Sequence, residues 1–152
     1  MKKIGDAPDG EQRFPEKLNP NGDDLTSLLL LNALPQQVWT ADAFGTVDYV
    51  NETICRDFGH TQSTIIESGW ESFLHSEDLP ESSRIWQESL KTEKEYTTEF
   101  RLLFADGHYY WHLARAVLVK REGKPNIWVG TNTNIQDHKN TEFRKDEFIS
   151  IA

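Results

Sequence analysis

The chain has 152 residues, a mass of 17.6 kDa and a hydrophobic fraction of 37%, enough for one domain with a sizeable core and too little for a multidomain enzyme. Eight Phe, five Trp and four Tyr supply the bulk of that core. Twenty-five acidic against 16 basic side chains leave a net charge of -9, which repels phosphate backbones and anionic lipid, so neither nucleic acid nor a membrane surface is an expected partner.

Residues 1–22 carry Pro8, Pro15, Pro20, Gly5, Gly10 and Gly22 among charged side chains. Such a segment buries too little apolar area to offset its ordering, which predicts a flexible leader. It contains no secretory apolar region, and the longest apolar run, residues 28–31, falls far short of the roughly 20 residues a membrane-spanning helix needs. The single cysteine, Cys55, cannot close an internal disulfide. These features together predict a cytoplasmic segment.

Asp23 or Asp24 is placed to cap a short helix through Ala33, which Pro35 stops. The period then changes to that of strands: 38–41, a turn at Ala43-Phe44-Gly45, and 46–50 make a hairpin. Residues 51–91 hold three helix starts. Asn51 precedes 52–58, Thr61 precedes 62–67, and Asp78 precedes 80–90 with Pro80 in its first turn.

Strand patterning returns at 96–105, 108–119 and 126–135, with turns at Asp106-Gly107 and Glu122-Gly123. In the middle strand Tyr109, Trp111, Leu113, Val117 and Val119 share one parity, and Tyr110, Ala114, Ala116 and Leu118 the other. Both faces therefore need a cover: the short helices on one, and the leading helix or a second copy of the chain on the other. The final segment, 136–152, reads as a polar helix with too few apolar residues to fold back, which predicts pairing with another chain. The element order gives an α+β fold, a five-stranded antiparallel sheet with short helices on one face.

In this order the residues resemble the PAS family of the bacterial sensor type. Its opening motif is matched by Leu34-Pro35-x-x-Val38-Trp39-x-Ala41-Asp42-x-x-Gly45-x-Val47-x-Tyr49-Val50-Asn51. Gly59-His60-Thr61 and Gly69-Trp70-x-x-x-Leu74-His75-x-Glu77-Asp78 follow, with Ser76 where the family has proline. The last blocks are Tyr96-x-x-Glu99-x-Arg101-x-x-x-x-Asp106-Gly107-x-Tyr109-x-Trp111 and Trp128-Val129-Gly130-Thr131-x-Thr133-Asn134-Ile135. Where the family closes on Asp-Ile-Thr to couple sheet and exit helix, this chain reads Asn134-Ile135-Gln136, so the coupling residues differ while Asn134 can still cap the helix. Residues 144–152 resemble the start of the dimerisation helix of sensor histidine kinases.

The resemblance implies a PAS-like fold with flanking helices, divided into a leader at 1–22, a sensory domain at 23–138 and the start of a signalling helix at 139–152. It implies a sensory module, not itself an enzyme, that regulates a C-terminal histidine kinase through the exit helix. A homodimer, a parent kinase core and a response regulator are the implied partners. The implied pocket lies between the short helices and the inner sheet face, lined by Trp70, Phe73, Trp86, Phe100 and Leu102, for an unidentified small ligand. No coloured cofactor is expected: residues 67–70 lack the cysteine of the flavin-binding relatives, and the helix at 81–91 lacks the histidine of the haem-binding ones.

Other chemistry-bearing residues read as structural. His108 and His112 lie four apart on a strand, about 13 Å, too far to share a metal. His75 and Asp78 read as a loop and helix-cap feature, Cys55 as a small core residue, and Glu99 and Arg101 as an ion pair with each other or with neighbours. Two rival functions follow: a ligand-free interaction or dimerisation module on the same fold, and a small cone-shaped α+β enzyme that would need His60, His75, Asp78 and His112 to converge.

Overall fold

A computed structural model describes the backbone of residues 24–151 and the side chains of residues 29–147. The leader expected at 1–22 and the apolar side chains at 148–151 lie outside the described residues. The elements run α1 (Asp24–Ala33), β1 (Gln37–Asp42), β2 (Val47–Val50), α2 (Glu52–Phe58), α3 (Gln62–Ser68), a 3-10 turn (Trp70–Phe73), α4 (Leu79–Thr92), β3 (Tyr96–Leu103), β4 (Tyr109–Arg121), β5 (Lys124–Asn134) and α5 (Gln136–Ile151).

Every pairing in the five-stranded sheet is antiparallel, and the spatial order is β2-β1-β5-β4-β3. The chain's last strand thus lies at the centre, with Trp39 opposite Gly130 on one side and Ala116 opposite Gly130 on the other. The fold is α+β with a five-stranded antiparallel sheet, as the element order implies.

Local chemistry sets the joints. At the β1–β2 turn Asp42 Oδ1 accepts from the N–H groups of Phe44 and Thr46, both at 3.0 Å, and Gly45 supplies the positive φ of 92°. Asn51, fully buried, caps α2 by accepting from Ile54 N–H at 3.3 Å and also accepts from Val38 N–H at 3.1 Å. Its amide donates to the carbonyls of Leu31 and Gln36, so one side chain ties α1, β1 and α2 together. Thr61 caps α3 through Thr64 N–H.

The inner sheet face carries Tyr96, Phe100 and Leu102 from β3, Ala114 and Ala116 from β4, and Trp128 from β5, all buried against α2, α3 and α4. Trp86 of α4 is the hub. Its ring meets those of Trp39, Tyr96 and Trp128 edge to face at 5.7, 5.0 and 5.1 Å, contacts worth about 1 kcal/mol each beyond area burial.

Two local expectations change. Asp78 makes no side-chain cap on α4. The turn closes through backbone, Asp78 N–H to His75 C=O and Ser82 N–H to Asp78 C=O, and Pro80 has no N–H to satisfy. The freed carboxylate reaches β3, accepting from Arg101 N–H and Nε, both at 2.9 Å, and from the guanidinium at 2.8 Å. The outer sheet face is covered only in part. Asn32 of α1 accepts from Tyr49 O–H and Glu52 N–H at the β2 side, while Val117 and Val119 of β4 stay 47% and 36% exposed.

Candidate functional site

A cavity of about 250 Å³ lies between the inner sheet face and the helices. That is larger than the roughly 150 Å³ apolar cavity that holds benzene and smaller than a drug-sized pocket. Strand β3 contributes Tyr96, Phe100 and Leu102, and β1 and β5 contribute Trp39 and Asn132. Val50, Ile54, Phe58, Ile65 and Trp86 complete an apolar wall. A smaller depression of about 130 Å³ shares Gly45, Thr46, Trp70, Glu71 and Trp86 with it and adds Phe44, Ser83, Gln87 and Leu90, which makes it the mouth. Gly45 suits this position through its φ of 92°, which L side chains rarely adopt, and a Cβ there would also push on Leu90 Cδ1 at 2.6 Å.

Of the five residues read as pocket lining, Trp70, Trp86, Phe100 and Leu102 border this cavity. Phe73 does not; it is stacked on Phe58 at 4.4 Å, one layer behind the wall. Sequence reasoning missed Trp39, Tyr96 and Asn132. Trp39 carried a signal in Gly130, over which its indole lies: a Cβ on Gly130 would come within 2.2 Å of that ring.

A chain of polar contacts leads from the cavity into the sheet. Trp39 Nε1 donates to Asn132 Oδ1 at 3.2 Å, Asn132 Nδ2 to Gln37 Oε1 at 3.0 Å, and Gln37 Nε2 to Asp57 Oδ2 at 3.0 Å. Gln37 and Asn132 are buried, so these bonds fix both amides and with them the Trp39 ring. Nearby on β4, His112 is 1% exposed with Nδ1 2.8 Å from Tyr110 C=O. Burial pushes its pKa down, against the opposing pull of that carbonyl and of Asp57.

Two residues beyond Asn132 the strand becomes a helix. Asn134 Oδ1 accepts from Gln136 N–H at 2.9 Å, Ile135 N–H donates to Trp111 C=O at 2.8 Å, and Gln136 Oε1 accepts from Trp111 N–H at 2.9 Å. Ile135 and Gln136 therefore pin the first turn of α5 to β4, while the Asn134 side chain accepts from the amide at the helix start. Lys139 adds an ion pair to Glu99 at 2.7 Å and lies 5.1 Å from the Trp111 ring centroid. The Glu99 hydrogen bond holds the ammonium pKa above its usual value.

The remaining candidates sit apart. Glu99 and Arg101 pair with different partners, Lys139 and the Glu77/Asp78 pair. Burial raises the Asp78 pKa, but Arg101 outweighs it and holds the carboxyl below its usual range. His75 Nδ1 accepts from Glu77 N–H and its ring packs on Tyr109; His60 packs on Phe73; His112 is enclosed on β4. His75 and Asp78 share one turn, but among the described residues His60 and His112 do not gather with them at one reaction centre. Cys55 is half-buried on α2, its thiol pKa raised by burial and Glu52, and it does not line the cavity. Among the described residues no cluster of three or more His, Cys, Asp and Glu gathers as a metal would need, and no helix is long and apolar enough to cross a membrane.

Comparison with known proteins agrees with this architecture. A family model described as the PAS fold matches residues 47–132. An uncharacterized protein, y4lL, of Sinorhizobium fredii is 35% identical over 69% of this chain and 13% of its own length. The peroxide stress-activated histidine kinase mak2 of Schizosaccharomyces pombe is 31% identical over 74% of this chain and 5% of its own. The chain thus spans only a small part of these relatives. Among solved structures, an RNA-binding light-oxygen-voltage receptor superposes with a TM-score of 0.70 at 15% identity, over 90% of this chain and 40% of that one.

Proposed function

The chain belongs to the PAS fold family, and we propose that it is a cytoplasmic sensory module that reads a small ligand in the cavity and passes the change through α5 to a C-terminal histidine kinase. One observation carries this reading: Asn132 on the cavity wall and Asn134 at the start of α5 are two residues apart on one strand, and Trp39 is hydrogen-bonded to the first of them. A ligand that displaces Trp39 loosens the hold on Asn132 and so biases the end of β5 from which α5 grows. The kinase output is supported by the similarity to mak2 and by the resemblance of residues 144–152 to a kinase dimerisation helix. In this reading the module is itself non-catalytic and works as a homodimer, and phosphoryl transfer to a response regulator belongs to the parent protein.

The test is hydrogen exchange in the full 152-residue chain carrying Asn132→Ala. Amides in the first turns of α5, residues 139–143, are expected to exchange at least threefold faster than in wild type while those of α3, which the Asn132 contact chain does not reach, are unchanged. Unchanged exchange in α5 would overturn coupling through β5. A second reading, a ligand-free dimerisation module, is favoured by the exposed Val117 and Val119 and does not require this coupling.

A further inference from the structure

Two buried hydrogen-bond donors on the cavity wall, the Trp86 indole and the Tyr96 hydroxyl, have no acceptor among the described residues, whereas Trp70 and Thr46 on the same wall are partly open to solvent. Trp86 and Tyr96 are 5% and 3% exposed, both border the cavity, and their rings meet at 5.0 Å. The polar groups of Trp39 and Asn132 are used: Trp39 Nε1 donates to Asn132, whose amide in turn donates to Gln37. Burying a donor without a partner is costly, and proteins tolerate it mainly where a bound group completes it. Gly45 keeps the Trp86 donor approachable, since a Cβ there would lie 3.1 Å from Trp86 Nε1.

The rest of the wall limits what can bring the acceptor. Val50, Ile54, Ile65, Phe100 and Leu102 are apolar, so a charged body would lose its hydration there, and the Glu71 carboxylate at the mouth repels anions. By scale with the roughly 150 Å³ cavity that takes benzene, 250 Å³ takes about ten non-hydrogen atoms. The aromatic faces of Trp39, Trp86 and Tyr96 favour a flat ring system.

Resting on the sensory reading above, we propose that the cavity selects a neutral, flat compound of bicyclic size with a hydrogen-bond acceptor, which takes the Trp86 indole N–H with the Tyr96 hydroxyl as the second donor. Trp86 and Tyr96 are then the specificity-determining residues. The indole N–H only donates, so it distinguishes an acceptor-bearing ring from its hydrocarbon counterpart.

The probes are quinoline and naphthalene, matched in size and differing by one ring nitrogen, titrated into the 152-residue chain by NMR at pH 7.5. Quinoline is expected to bind at least threefold tighter although it is the better hydrated of the two. In Trp86→Phe the preference should fall to twofold or less, with naphthalene affinity held within twofold; Tyr96→Phe should lower quinoline affinity in the same direction and serves if the first variant fails to fold. Equal or tighter binding of naphthalene by wild type would overturn the assignment of the donors while leaving a ligand-reading cavity. Binding of neither probe would overturn the ligand class. Failure of the sensory reading itself shows separately, as α5 exchange that Asn132→Ala does not move.

Discussion

His112 is a titratable group enclosed on the sheet, facing Asp57 from α2, with Tyr110 C=O on its own strand and the Phe104 ring 5.4 Å away. Burial holds its folded-state pKa below the unfolded value of about 6.5, so the folded state disfavours the proton that the unfolded chain accepts. Its contribution to stability is therefore complete above pH 6.5 and is lost as pH falls from there towards the folded pKa. The urea midpoint is expected to drop between pH 7.5 and 5.5 in wild type and to drop less in His112→Gln; parallel curves would show that another group controls this range. Asp78 acts in a different window, since its lowered pKa makes its contribution fade only below about pH 4. None of this was legible in the sequence, where His112 showed only that it could not share a metal with His108. Burial is a property of what packs around a residue.

At the scale of elements, α4 is anchored to β3 by the Asp78 and Arg101 side chains, 14% and 24% exposed, with Arg101 also lying over Trp111 at 4.9 Å. Removing one partner leaves the other charge half-buried and unpaired, so Arg101→Leu is expected to cost about 2 kcal/mol in urea unfolding. The double variant with Asp78→Asn should cost less than the sum of the two single changes, and strict additivity would show the pair to be uncoupled. The sequence made Asp78 a helix cap because its position before Pro80 fits one. It could not show the backbone turn that closes the helix start unaided, nor the guanidinium that β3 brings alongside. Asn51 and Thr61 behaved as caps because their partners are three residues away, within reach of local sequence.

For the whole molecule, the relevant surface is the apolar one left open on the outer sheet face and the flanking helices. Val117 and Val119 on β4, Leu29 and Leu30 on α1 at 62% and 64% exposure, and Phe143 on α5 at 53% are apolar groups left to solvent in one copy of the chain. If a second copy covers them, Val117→Asp is expected to weaken dimerisation at least tenfold in sedimentation equilibrium, and truncation at residue 138 should weaken it further. Unchanged dimer affinity in both would place the interface elsewhere.

By itself the sequence determined the elements, their order and the fold class. Period-2 alternation, caps three residues from their helices, and glycine at positive-φ turns are all short-range signals. It also pointed to Trp70, Trp86, Phe100 and Leu102 as large apolar side chains on elements expected to face one another, and to Asn134, Ile135 and Gln136 as the place where the chain departs from the family's closing motif. Only the tertiary structure decided that β5 lies between β1 and β4, and with that placement came Trp39 over Gly130 and the Gln37–Asn132 amide pair; the packing of α4 on β3 buried the Trp86 and Tyr96 donors, which have no acceptor among the described residues. Trp39 and Asn132 are 93 residues apart in the chain. Contacts across such separations depend on how a sheet closes, and no local pattern encodes the distance between two strands that meet only when the last one arrives.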